Sequence, residues 1–255
     1  MKLTHAPLAR IALASLFAIA GTAAQAQQPT YKIAYIDPLS GPFANVGELM
    51  LMHTQYAIED INAKGGVLGG MKLQLLQFDS KLSAQESQSA LQAAIDQGAK
   101  AIVTGGSGSS VVTALVLAVA RWNQRNPGKE LIVLNHSSID PEMTGKGCSF
   151  WHFQTEANTA MKMKALANYI KKTPDVKKVY LLNQDYAHGK QWASYGRQLV
   201  GLARPDIQFV GETLHPIGRV KDFAPYIANI KQSGADSVIT GNWGQDMTLL
   251  QKAAG

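Results

Sequence analysis

The sequence predicts an α/β protein built on parallel sheets and divided into two blocks. Three observations carry that reading. β-like and helical segments alternate at a regular beat from Tyr31 to Ala254. Several β-like segments are short and continuously apolar, as at Ala101–Thr104, the pattern of strands covered on both faces. The beat breaks once, from Asn135 to about Trp151, and then resumes, so one α/β block precedes the gap and another follows it.

Residues 31–37 are an apolar run suited to a central strand. A Ser40-Gly41-Pro42 turn follows. Residues 46–63 then carry Leu49, Met52, Tyr56, Ile58 and Ile61 at helical spacing, and Lys64-Gly65-Gly66 stops that helix. Residues 72–78 alternate as a strand does. A helix is predicted over 83–97, because Ser83 stands as N-cap with Glu86 three residues later, and Gly98 closes it. Ala101–Thr104 is a short buried strand. A helix over 109–126 ends at Pro127-Gly128, and 131–134 is again a strand. Beyond the gap, helices over 155–172, 187–203, 222–233 and 245–254 alternate with strands over 177–183, 207–214 and 237–240. Right-handed crossovers place all strand C-terminal ends on one edge, and ligands bind in the loops there.

Residues 1–26 read as a cleaved export signal, not as part of the fold. Lys2 and Arg10 give a positive start, residues 11–20 a short apolar core, and Ala24-Gln25-Ala26 a small-residue cleavage site. Export and release into the periplasm is the expectation, with Gln27 first in the mature chain. Cys148 is the only cysteine, so no internal disulfide can form, and it is expected as a small buried residue. Removing the signal leaves 22 basic and 18 acidic residues. The basic residues are scattered, without a polybasic run or interleaved aromatics, which argues against a nucleic-acid partner.

No enzyme motif is complete in the chain. Gly105-Gly106-Ser107-Gly108-Ser109 lacks dinucleotide-loop spacing, because Val111 stands where the third glycine belongs. It also fails the nucleophile-elbow pattern at Ser109. No Walker lysine, His-Glu-x-x-His or cysteine pair is present, so neither a cofactor nor a metal is expected. The same run suits an anion. It follows a strand and enters a helix at Ser109 or Ser110, where free N–H groups and a hydroxyl hold a carboxylate without Lys or Arg.

The opening Pro38-Leu39-Ser40-Gly41-Pro42 and Asp60-Ile61-Asn62-Ala63-Lys64-Gly65-Gly66 resemble the type I periplasmic substrate-binding proteins of the branched-chain amino-acid family. Asp140-Pro141-Glu142-Met143-Thr144, Asp185-Tyr186-Ala187-His188-Gly189, Lys221-Asp222-Phe223 and Gly234-Ala235-Asp236-Ser237-Val238 continue the resemblance in order. It implies a two-lobed clamshell that captures a small molecule for an ABC permease and catalyses nothing. Lobe one is then expected at 27–146, an inter-lobe crossover at 147–158 and lobe two at 159–255. Family members are longer, so the chain is expected to be truncated at its C-terminus and to act as a monomer.

The resemblance also implies the site. Ser109, with Ser107, Gly108 and Ser110 alongside, would hold the ligand carboxylate. A second loop, Ser137-Ser138-Ile139, would meet an α-amino group. Val46, His188, Asn242 and Trp243 would complete the wall. Several positions depart from the family pattern. Ile139 stands where a Thr hydroxyl is usual, Val46 replaces an aromatic, His188 a tyrosine, and Asn242-Trp243 a tyrosine loop. These departures open two ligand classes, a branched-chain amino acid or a non-amino aromatic acid, amide or urea. A hydrolase using His188 and Asp185 is the rival from another class. His188 could equally cap its helix, and a modest shift in its acidity would make binding depend on pH.

Overall fold

The computed structural model of the protein describes residues 30–255, so the predicted signal and its cleavage site lie outside the described residues. The first block holds β1 (Thr30–Asp37), α1 (Ala44–Ala63), β2 (Lys72–Asp79), α2 (Ala84–Asp96), β3 (Ala101–Thr104), α3 (Ser109–Arg125), β4 (Ile132–Asn135) and β5 (His152–Gln154). Its strands form one parallel sheet in the order β2-β1-β3-β4-β5. The second block holds α4 (Thr159–Ile170), β6 (Lys178–Gln184), α5 (Ala187–Tyr195), α6 (Gly201–Ala203), β7 (Gln208–His215), α7 (Ala224–Gln232), β8 (Ser237–Ile239) and α8 (Gly244–Ala254). Its sheet is parallel in the order β7-β6-β8.

The local reasons are legible. The Ser83 hydroxyl accepts from the N–H of Glu86 at 3.4 Å, the expected cap of α2. Asn158 caps α4 in the same way through Met161 at 3.0 Å. Asn123 on α3 holds the start of the next strand. Its side chain donates to the Leu131 carbonyl at 2.8 Å and accepts from the Leu131 N–H at 2.9 Å.

Each sheet is covered on both faces. In the first, α2 and α3 pack on Ala34, Ile36, Ile102 and Val133, while Ile58 of α1 packs on Ile33 and Ala101. In the second, α4 and α5 pack on Val179, Leu181 and Ile239, while α7 and α8 pack on Tyr180 and Leu182.

Four expectations need correction. Residues 152–154, placed at a crossover, form β5, which adds to the first sheet beside β4. The helix expected from 155 begins at Thr159, because Asn158 supplies its cap. The predicted apolar stripe of α1 is split. Ile58 is buried, but Leu49, Met52 and Tyr56 lie on another face and are exposed. Cys148 is exposed, in the loop before β5 where its N–H bonds Gly145, so the buried role is not its own.

Candidate functional site

The C-terminal ends of both sheets face each other across a cleft of about 380 Å³. From the first block come the loops after β3 (Gly105, Gly106, Gly108, Ser109) and β4 (Ser137, Ser138, Ile139), with Val46 and Met50 of α1. From the second come Lys162 of α4, Tyr186, His188 and Trp192 after β6, and the Thr240–Trp243 loop after β8. This is where parallel sheets leave their unpaired loop backbone.

The first-block side presents the N-terminus of α3 to the cleft. Gly108 precedes α3 with φ +79°, a left-handed conformation that only glycine adopts without strain. A Cβ there would also sit 3.4 Å from Tyr186 across the cleft. Ser109 is then the first residue of α3, 2% exposed, and the first-turn N–H groups have no partner within the helix. The second loop is held from beneath. Asn135 accepts from the N–H of Ser138 and donates to its carbonyl, both at 2.8 Å, and Ser138 Oγ donates to the Gly105 carbonyl at 3.1 Å. Ile139 presents an apolar side chain, and its carbonyl accepts from both the N–H and the hydroxyl of Thr159.

The second-block side is aromatic. Trp243 donates from Nε1 to Tyr186 Oη at 2.8 Å, which locks the two rings together. Burial pushes the Tyr186 hydroxyl far above its ordinary acidity range. His188 is 6% exposed and its Nε2 lies 2.9 Å from the Gly241 carbonyl. A carbonyl only accepts, so the proton sits on Nε2 and Nδ1 keeps a lone pair. Burial first, against the Gly241 bond, lowers its pKa from 6.5 to about 4. His188 is therefore a neutral acceptor at physiological pH. That corrects both the capping role and the expected titration near neutrality, since Tyr186 is the N-cap residue of α5, no side chain caps that helix, and His188 Nε2 is engaged by Gly241. Asn242 accepts from His215 Nε2 at 3.0 Å. His188 Nδ1 and Asn242 Nδ2 are buried without partners among the described residues, an acceptor and a donor in one wall.

The structure thus brings Gly108, Ser109, Ser137, Ile139, Val46, His188, Asn242 and Trp243 to one cleft. It does not bring Ser107 or Ser110 there. The Ser107 hydroxyl is 2.9 Å from Asp37 and 2.8 Å from Ser80, turned into the protein. Ser110 is exposed on the next step of α3. Reading the run as uniformly ligand-facing ignored the helical rotation that begins at Ser109. Sequence reasoning missed Lys162, Tyr186, Trp192 and Met50. Trp192 stood four residues beyond His188, a spacing that puts both on one helix face. Lys162 and Met50 carried no such signal.

The two blocks also touch directly. Phe43, in the short 3-10 turn before α1, is 1% exposed, and its ring centroid lies 4.4 Å from that of Trp243. Gln191 of α5 donates to Asp140 at 2.7 Å.

The periplasmic binding protein family model matches residues 30–255. The chain belongs to that family. Among curated proteins it is 36% identical over 248 residues to the Leu/Ile/Val-binding protein homolog 4 of Brucella abortus, covering 96% of this chain and 58% of that protein. The chain therefore spans little more than half the length of the curated relatives it matches. Among solved structures it superposes on the closed leucine-, isoleucine-, valine-, threonine- and alanine-binding protein of Brucella ovis. There the TM-score is 0.74 at 35% identity, covering 88% of this chain and 57% of that one. An R. palustris solute-binding protein in complex with 4-hydroxybenzoate has a TM-score of 0.72 at 22% identity, over 88% of this chain and 57% of that one. That last likeness is one of fold alone. The two-lobed architecture with parallel sheets is that of the type I members.

Proposed function

We propose that the chain is the extracytoplasmic substrate-binding component of an ABC importer and captures a small carboxylate-bearing molecule, such as a branched-chain amino acid, by lobe closure. The observation that carries this is the cleft between two sets of strand ends. It pairs the free N-terminus of α3 and Ser109 on one side with an apolar and aromatic wall on the other. The ligands for which the Brucella ovis protein is named support the ligand class. The ligand docks on the first lobe at Ser109 and Ser137. The second lobe, hinging about residues 155–158 between β5 and α4, then covers it with His188, Asn242 and Trp243. A permease in the inner membrane receives the cargo. The predicted export signal supports a periplasmic location, and no helix among the described residues is long and apolar enough to cross a membrane.

One observation favours a second ligand class within the same function. Tyr186, His188, Trp192 and Trp243 make the second-lobe wall aromatic, and Ile139 offers no hydroxyl to an ammonium. An aromatic carboxylate stacks on such a wall and leaves no buried ammonium short of a partner, a lack that costs about 1–3 kcal/mol. Calorimetric titration of the mature protein with leucine, isoleucine, valine, benzoate and benzamide decides between them. Carboxylates are expected to bind at micromolar level, with benzamide at least tenfold weaker than benzoate. Failure of every carboxylate, or equal binding of benzamide and benzoate, would sink the carboxylate seat.

A further inference from the structure

Beneath the seat lies a fully buried carboxylate. Asp37, the last residue of β1, is 0% exposed. Its Oδ1 accepts from Thr104 Oγ1 at 3.1 Å, from the N–H of Gly105 at 3.1 Å and from Ser107 Oγ at 2.9 Å. Its Oδ2 lies 3.1 Å from Nε2 of His136, the residue after β4. One side chain thus ties together both loops that form the first-lobe half of the cleft.

The loops are pressed onto this pair. A Cβ on Gly105 would stand 2.6 Å from the Ser137 nitrogen and 2.9 Å from His136 Nδ1. A Cβ on Gly106 would stand 3.3 Å from Asp37 Oδ2. Ser107 spends its hydroxyl here and not on a ligand. The arrangement is costly for an anion site, because a buried negative charge directly behind a carboxylate seat repels what the seat is to hold. Among the described residues, His136 is the only basic side chain within ion-pair distance of Asp37.

We propose that Asp37 is a positioning residue that sets the Gly105–Ser109 loop, and that His136 carries the compensating charge without which the seat would reject a carboxylate. The inference rests on the carboxylate reading of the cleft and deepens it. Asp37 need not touch the ligand. It fixes the direction of the loop amides through Gly105 and Ser107, and His136 stands as the basic partner of the carboxylate beneath them. In D37N the isosteric amide would keep the acceptor for Thr104, Gly105 and Ser107 and turn a donor to His136, so the geometry survives while the charge is lost.

The test is a double-mutant cycle in the full mature protein: wild type, H136Q, D37N and D37N/H136Q, each titrated with leucine and with benzoate. H136Q, which leaves the buried Asp37 without a basic partner, is expected to weaken whichever acid the wild type binds by tenfold or more. D37N/H136Q is expected to recover to within threefold of D37N. A purely structural pair gives the opposite result, with the double variant no tighter than H136Q, and that overturns the inference. So does H136Q within threefold of wild type. Should the wild type take neither acid, the functional reading falls on its own. The same four proteins then decide the pair by thermal unfolding and soluble yield. Rescue of H136Q by D37N supports the charge pairing, and absence of rescue overturns it.

Discussion

Replacing Phe43 by alanine should open the cleft more than it unfolds the protein. The ring belongs to the first lobe by sequence but is covered by the second. It lies 4.4 Å from the Trp243 ring, and Cβ atoms built on Gly244 and Gly218 would come within 2.5 and 2.9 Å of its edge. A buried Phe removes about 150–250 Å² from water. If the second lobe covers half of that, roughly 100 Å² of apolar contact exists only when the lobes are together. At about 25 cal/mol per Å² this is worth about 2.5 kcal/mol, or roughly a 60-fold shift in the closed-to-open ratio. The assay is the radius of gyration from small-angle scattering, with a distance distribution between spin labels at the exposed Glu48 and Lys252. F43A should shift the distances toward a longer, broader population and weaken ligand binding through faster release. Unchanged distances with a lowered unfolding temperature would show that Phe43 is an ordinary core residue of its own lobe and does not hold the two lobes together.

Two further outcomes follow from the same geometry. His188 has a folded pKa of about 4 against an ordinary 6.5, so the unfolded chain binds a proton first as pH falls. Stability should therefore be full above about pH 6.5 and decline down to about pH 4, by about 3 kcal/mol. H188Q should flatten that part of the denaturation-versus-pH curve relative to wild type. His152, whose pKa burial also lowers, remains in both proteins and cancels in the difference. Asn123→Ala removes both bonds to Leu131 and leaves a buried N–H and carbonyl unpaired, so urea unfolding should show a loss of about 2–4 kcal/mol. Ligand affinity measured well below the transition should not change.

The sequence by itself determined the order of the strands and helices other than β5, because strand and helix periodicity, the Ser83 cap and the glycine stops are local signals. It also located the cleft-forming loops, since parallel strands separated by helices leave their C-terminal ends on one edge. The resemblance then narrowed the seat to Ser109 and its neighbours. Tertiary structure decided which side chains of those loops turn outward. Ser107 and Ser109 are two residues apart in an identical Gly-Ser context, yet one faces Asp37 and the other the cleft. The turn at Gly108 and the start of α3 rotate them to opposite sides. The same holds for His188. Its sequence context suits a titrating ligand contact, but packing under Gly241 removes it from water and leaves it neutral. The Asp37–His136 pair joins residues 99 positions apart. Only the β1-β3-β4 sheet order brings them together, and no periodicity or motif in a single sequence encodes a contact made by that pairing.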